Sequence, residues 1–203
     1  MSGETPRPCD SIAELAERCV QHVRQRFDFE LDYSPETLGV LDAFVEAVVA
    51  EERESEKPPP GDRRGSHLVH LLAPSVGAYF GEVVRRRLPC RWRLRDGEPK
   101  SWLIEFEKFF LRFNPAGAAA EAIAMTHVEG WEGSLSTEPD ETEDLHRRLE
   151  AAPSLPEDQF FSLATRWEVL QIADDWLRRR GAAEGALAEM RTESDYDTVF
   201  EDK

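Results

Sequence analysis

Hydrophobic positions along the chain change period twice. From about residue 12 to 88 they recur every three to four residues, from 90 to 113 they alternate, and beyond 115 the helical period returns. Ile12, Leu15, Cys19, Val20 and Val23, with Ser11 and Glu14 at capping-box spacing, predict a first helix over about 12–27. Ser34 and Pro35 predict the start of a second, whose apolar stripe is Leu38, Leu41, Phe44, Val45, Val48 and Val49. Residues 51–65 combine charge with three prolines and two glycines and read as a loop. A third, more apolar helix is predicted over 67–88, kinked or broken at Pro74. Gly77 and Gly81, four apart, open one of its faces to close approach.

After Pro89 the period is two. Cys90, Trp92 and Leu94 alternate with Arg91, Arg93 and Arg95, which predicts a half-buried strand with Trp92 inward and guanidinium groups outward. Asp96-Gly97 starts a turn, Trp102, Ile104 and Phe106 mark a second strand, and 109–113 a third. Antiparallel pairing brings Glu105 beside Arg91 or Arg93. Helices follow over about 115–124, 141–151 and 157–180, the last ended by Gly181, and 126–140 reads as a loop. The expected architecture is α+β, with helices on one face of a three-stranded antiparallel meander. One domain is expected over 1–188, with a core at 12–125 and a C-terminal helical extension at 141–180. Residues 189–203 read as an acidic, mobile tail, with Tyr196, Val199 and Phe200 able to dock in trans or on the basic strand.

Charge sharpens this outline. The formal net charge is −16, from 25 basic and 41 acidic residues, which disfavours general polyanion or anionic-membrane binding. It divides as −8 over residues 1–57, +5 over 58–113 and −13 over 114–203, so a basic centre lies between two acidic arms. Self-neutralisation of the centre by the arms is the simplest consequence. Three cysteines without metal-type spacing fit reduced thiols, and Met1 to Asp10 lacks the apolar core of an export signal, so a cytoplasmic protein is expected, with no membrane association.

Three features invite chemistry. His67 and His70 are spaced to share a metal, but a third ligand among His127, Glu82 and Asp62 is not specified by any pattern, and helix-start histidines need no metal. Glu82 interrupts an apolar run one turn after Tyr79, with Arg85 and Arg86 in helical reach, so it reads either as an acid–base group or as an ion pair fixing the helix on the sheet. Arg85, Arg86, Arg91, Arg93 and Arg95 around Trp92 have the composition of a nucleic-acid contact, yet an inward Trp92 removes the stacking surface and favours an acidic protein or the chain's own tail. Phosphate-loop, dinucleotide, nucleophile-elbow and metalloprotease motifs do not occur, and no catalytic residue, cofactor or metal is assigned.

The segments LDYSPETLGVLDAFVEAVV (31–49) and GAYFGEVVRR (77–86), then Trp92 and FNP (113–115), resemble a loosely defined family of bacterial proteins without an established activity. The resemblance spans about residues 12–125 and implies a small cytosolic α+β domain; it transfers no catalytic residue. The preferred function is a noncatalytic protein-interaction module, in a specific form immunity- or antitoxin-like, with an acidic face for a basic partner. The alternatives are a ligand-binding or enzymatic pocket at Tyr79, Glu82 and neighbouring arginines, and nucleic-acid contact through residues 85–95. The oligomeric state stays open.

Overall fold

A computed structural model describes residues 8–54, 66–150, 159–183 and 190–200. The elements are α1 (Pro8–Phe27), α2 (Leu38–Glu54), α3 (Ser66–Arg87), β1 (Cys90–Leu94), β2 (Trp102–Phe106), β3 (Leu111–Phe113), α4 (Pro115–Ala124), β4 (Ser136–Thr137), α5 (Pro139–Glu150), α6 (Leu163–Ala183) and α7 (Glu193–Phe200). The class is α+β, but the antiparallel sheet has four strands in the order β1-β2-β3-β4 rather than three. The fourth strand pairs Thr137 with Leu111 and Ser136 with Arg112, and the Thr137 hydroxyl donates to the Phe110 carbonyl at 2.6 Å. Two polar residues carry no alternation to read; β3's open edge makes them a strand.

Pleat alternation sorts the sheet into two faces. Trp92 lies opposite Ile104, and Ile104 opposite Phe113, on the face that packs on α3 and α4. Arg91 lies opposite Glu105, and Glu105 opposite Arg112, on the other face. α7 covers that second face, through Asp197 against Arg93 and Phe200 against Arg112, so helices are not confined to one side as expected. Of the segment read as a mobile acidic tail, α7 rests on this face, with Asp197 on Arg93 of β1 and Tyr196 and Phe200 on β2 and β3, while 189 and 201–203 lie outside the described residues.

The α3–α4 contact is extensive and close. A Cβ built on Gly77 falls 2.4 Å from the Cα of Ala116, so these two helices meet backbone to backbone, and one built on Gly81 falls 2.2 Å from the Trp92 ring, so β1's indole fills the space beside it. α4 is buried from Pro115 to Ile123, and Asn114 caps it by accepting the Gly117 N–H at 3.0 Å. α1 packs on α3, while α6 packs on α2, α4 and α5.

Several boundaries depart from the sequence pattern. α1 begins at Pro8, where a missing N–H costs nothing, so Ser11 sits inside the helix rather than capping it. Ser34 does not cap with its side chain; Pro35–Thr37 form a 3₁₀ turn leading into α2. α2 runs into the expected loop as far as Glu54, and 55–65 lie outside the described residues. α3 is one helix through Pro74. α6 starts at Leu163 and continues past Gly181 to Ala183. Its first turn is capped twice: the Ser162 hydroxyl accepts the Thr165 N–H at 3.2 Å, and Asp42 of α2 accepts the N–H groups of Leu163 and Ala164 at 2.8 and 3.0 Å. No helix among the described residues is long and apolar enough to cross a membrane.

Candidate functional site

Tyr79 and Glu82 lie one turn apart on α3, and the structure gives them separate surroundings. The Tyr79 side chain is fully buried. Its hydroxyl accepts the Tyr33 N–H at 3.0 Å and lies 2.8 Å from the Thr37 hydroxyl, which donates to the Ser34 carbonyl. Burial pushes the phenol up to about 12, so it stays protonated through neutral pH. Tyr33 stacks on the Tyr79 ring at 4.8 Å and carries the Arg86 guanidinium 3.6 Å from its own ring centroid. The backbone of Tyr33 is left-handed, φ 63°, an uncommon state for a non-glycine residue that the bond from its N–H to Tyr79 helps to hold.

Glu82 is also buried, and both of its carboxylate oxygens are hydrogen-bonded. One oxygen accepts from Arg85 Nε and from Trp92 Nε1, both at 2.8 Å; the other accepts from the Arg85 guanidinium at 2.8 Å and lies 3.6 Å from Arg86 Nε. Burial pushes the carboxyl up, but the hydrogen bonds from Arg85 and Trp92 and the nearby charges outweigh it, leaving it below the ordinary carboxylate range. A carboxylate held ionised by three donors has no proton to give, and its bonds to Arg85 and Trp92 make it an ion-pair lock between α3 and β1. Trp92 points away from its neighbouring arginines, as the alternation required, and fastens β1 to α3 through this bond.

The stability consequence follows from the sign of the shift. Folding lowers the Glu82 pKa, so its contribution is complete above the ordinary carboxylate range and is lost as pH falls through and below it. Glu82→Gln is expected to flatten the acid limb of a stability–pH curve measured by urea unfolding; an unchanged acid limb rejects the assignment. Trp92→Phe, which removes one donor to a charged acceptor, is expected to cost about 1.5–3 kcal/mol in the same assay.

Beside this lock, α1 and α3 border an open groove of about 560 Å³ lined by Ala13, Glu14, Ala16, Glu17, Gln21, Tyr33, Glu82 and Arg86. Tyr79 does not line it. Burial and the Glu17 carboxylate push the Tyr33 phenol up, against the pull of Arg86.

Arg91 and Arg93 occupy the opposite face. Both donate at 3.0 Å to Glu105, which has no exposed surface. Arg91 also donates to the Arg191 carbonyl at 2.7 Å, while Arg93 pairs with Asp197, and Arg95 lies 3.4 Å from that carboxylate. Tyr196, fully buried, anchors the crossing segment. Its hydroxyl accepts the Leu111 N–H at 3.0 Å and has the carbonyls of Phe106, Phe109 and Leu111 within 2.9–3.0 Å for its own proton. Arg85 and Arg86 belong to the Glu82 cluster, so the five arginines grouped by sequence divide between two faces.

A third charged cluster takes up His127, which the sequence offers as a metal ligand, together with Glu121 and Arg166, which had no part in the sequence reading. Glu121, buried in α4, accepts from Arg166 at 2.6 Å and lies 2.8 Å from His127 Nδ1. Its signal was available, a carboxylate inside an apolar helical run, as for Glu82. His67 and His70 do not join a metal set: His70 packs on Trp131, and no group of three His, Cys, Asp or Glu side chains among the described residues is arranged to hold an ion. Asp62 lies outside the described residues. Cys19 and Cys90 are free and buried, and burial pushes both thiols up to about 12, which makes them poor nucleophiles.

No protein-family model matches the chain, and neither the curated proteins nor the solved structures contain a match.

Proposed function

We propose that the protein is a noncatalytic interaction module that presents an acidic surface to a basic protein partner. The observation that carries this reading is where the positive charge goes. Arg85, Arg86, Arg91, Arg93 and Arg95 of the basic centre face Glu82, Glu105 and Asp197, while Glu14, Glu17, Glu46, Asp140 and Glu143 stand exposed. With the chain at −16 and these five arginines of its basic centre already paired, the surplus of exposed acid is what a partner meets. Such a field accelerates encounter with a basic surface and discriminates against acidic ones. An immunity- or antitoxin-like role, covering the basic cleft of a toxin such as a nuclease, is the specific form of this reading.

The test is capture from a lysate of the source organism at about 150 mM salt, where exposed charges are screened beyond roughly 8 Å. A basic protein is expected to be retained by the wild type, released by high salt and lost with Asp140→Lys plus Glu143→Lys. No basic protein retained, or equal retention by the reversed variant, rejects the reading. A second reading, small-ligand binding, is supported by the groove beside Tyr33 and Arg86. Its test is a ligand screen by NMR: saturable shifts confined to the groove favour it over the interaction module.

A further inference from the structure

The C-terminal helix meets the sheet as a ligand meets a receptor. Its sequence, Glu193 to Phe200, is eight residues long, too short to hold a helix alone in water. Its order therefore depends on what it rests against. Three kinds of contact fix it. The aromatic anchors Tyr196 and Phe200, at i and i+4, stack on each other and lie edge-on to Phe110. The acidic Asp197 meets Arg93, and the Arg112 guanidinium lies 3.8 Å from the Phe200 ring centroid. Main-chain bonds at the entry, Arg191 N–H to the Glu107 carbonyl at 2.7 Å, set its direction.

This is the helix-in-groove mode of recognition, with aromatic side chains giving affinity and the contacts of Asp197 with Arg93 and Arg95 giving register. We propose that the arginine face of the sheet is a docking surface for an acidic helix of another protein, and that α7 is the intramolecular occupant that such a helix displaces. The partner carries an aromatic residue, an acid next to it and a second aromatic one turn on, the pattern of Tyr196, Asp197 and Phe200. Charge complementarity selects this chemistry: Arg91, Arg93 and Arg112 lie on the α7 side of the sheet around a single buried carboxylate, Glu105. The inference is separate from the acidic-surface reading, since it concerns the basic face and a partner of opposite sign.

The probe is a fluorescein-labelled peptide of residues 190–203, added in trans to the full-length chain. An occupant tethered in cis competes at millimolar effective concentration, so the wild type is expected to bind the peptide at least about tenfold more weakly than full-length Tyr196→Ala plus Asp197→Arg. Adding Arg93→Glu to that released variant is expected to abolish binding. A folded released variant that binds the peptide no better than the wild type overturns the proposal. Preferential binding of a single-stranded oligonucleotide reassigns the face to nucleic acid and also overturns it, as does a concentration-dependent wild-type dimer that the peptide dissolves, which makes a second copy the occupant. Hydrogen exchange on the unmodified chain decides the matter if the variant does not fold. The α7 amides are expected to exchange faster than those of α3 and α4, through local opening; protection equal to that of the core overturns the proposal.

Discussion

Gly77→Ala is expected to destabilise the protein by about 3 kcal/mol, at the upper end of what overpacking a well-fitted core costs. The added methyl lands 2.4 Å from the Ala116 Cα and 2.7 Å from its nitrogen, and neither atom belongs to a side chain that can rotate away. Relief requires α3 and α4 to separate. That in turn loosens Phe80 from Phe113 and Trp92 from the seat left by Gly81. The control is Gly39→Ala, in the exposed first turn of α2 with no atom within 4 Å of the new Cβ, where a gain of about 0.4–1 kcal/mol is expected from the narrowed unfolded ensemble. Urea unfolding of both variants measures the difference. Equal effects of either sign at the two glycines contradict the backbone-contact account.

Glu105→Gln is expected to cost about 3 kcal/mol, because it leaves Arg91 and Arg93 partly buried without their shared countercharge. At an m value of about 2 kcal/mol/M this lowers the urea midpoint by about 1.5 M. The loss extends past the sheet. Arg93 spans Glu105 and Asp197, so Glu105→Gln and Asp197→Asn share a partner and are expected to couple by at least about 0.5 kcal/mol in a double-mutant cycle. Strict additivity shows that the two carboxylates act independently and removes Arg93 as the link between strand and helix.

Elements with a hydrophobic period of their own were readable along the chain. The stripe of α2, the alternation of β1 and β2 and the register that puts Glu105 beside Arg91 all follow from local spacing. What escaped was created by another segment. β4 exists because β3 offers an open edge, and no pattern in Ser136-Thr137 announces it. Asp42 lies among the core residues Leu41 and Phe44 of α2, yet its role is to cap a helix 121 residues away. Glu82 was legible as a carboxylate needing a partner, and its neighbours Arg85 and Arg86 lie within helical reach. The choice between acid–base group and lock turned on Trp92, whose indole N–H arrives from a strand. Tyr196 stood out only as an aromatic in an acidic tail, since its acceptors are carbonyls of β2, β3 and the turn between them.

The bonds from Arg91 and Arg93 to the α7 segment join residues 100 and more apart in sequence, which sets an order of events during synthesis. Strands β1 to β3 leave the ribosome well before Tyr196 does. At about 5–20 residues per second, the sheet's basic side waits on the order of ten seconds for its cover. For that interval the nascent chain is a different molecule electrostatically, with a bare guanidinium surface in a cell full of RNA and acidic proteins. Residues 190–200 therefore decide when that surface is withdrawn from the crowd around it.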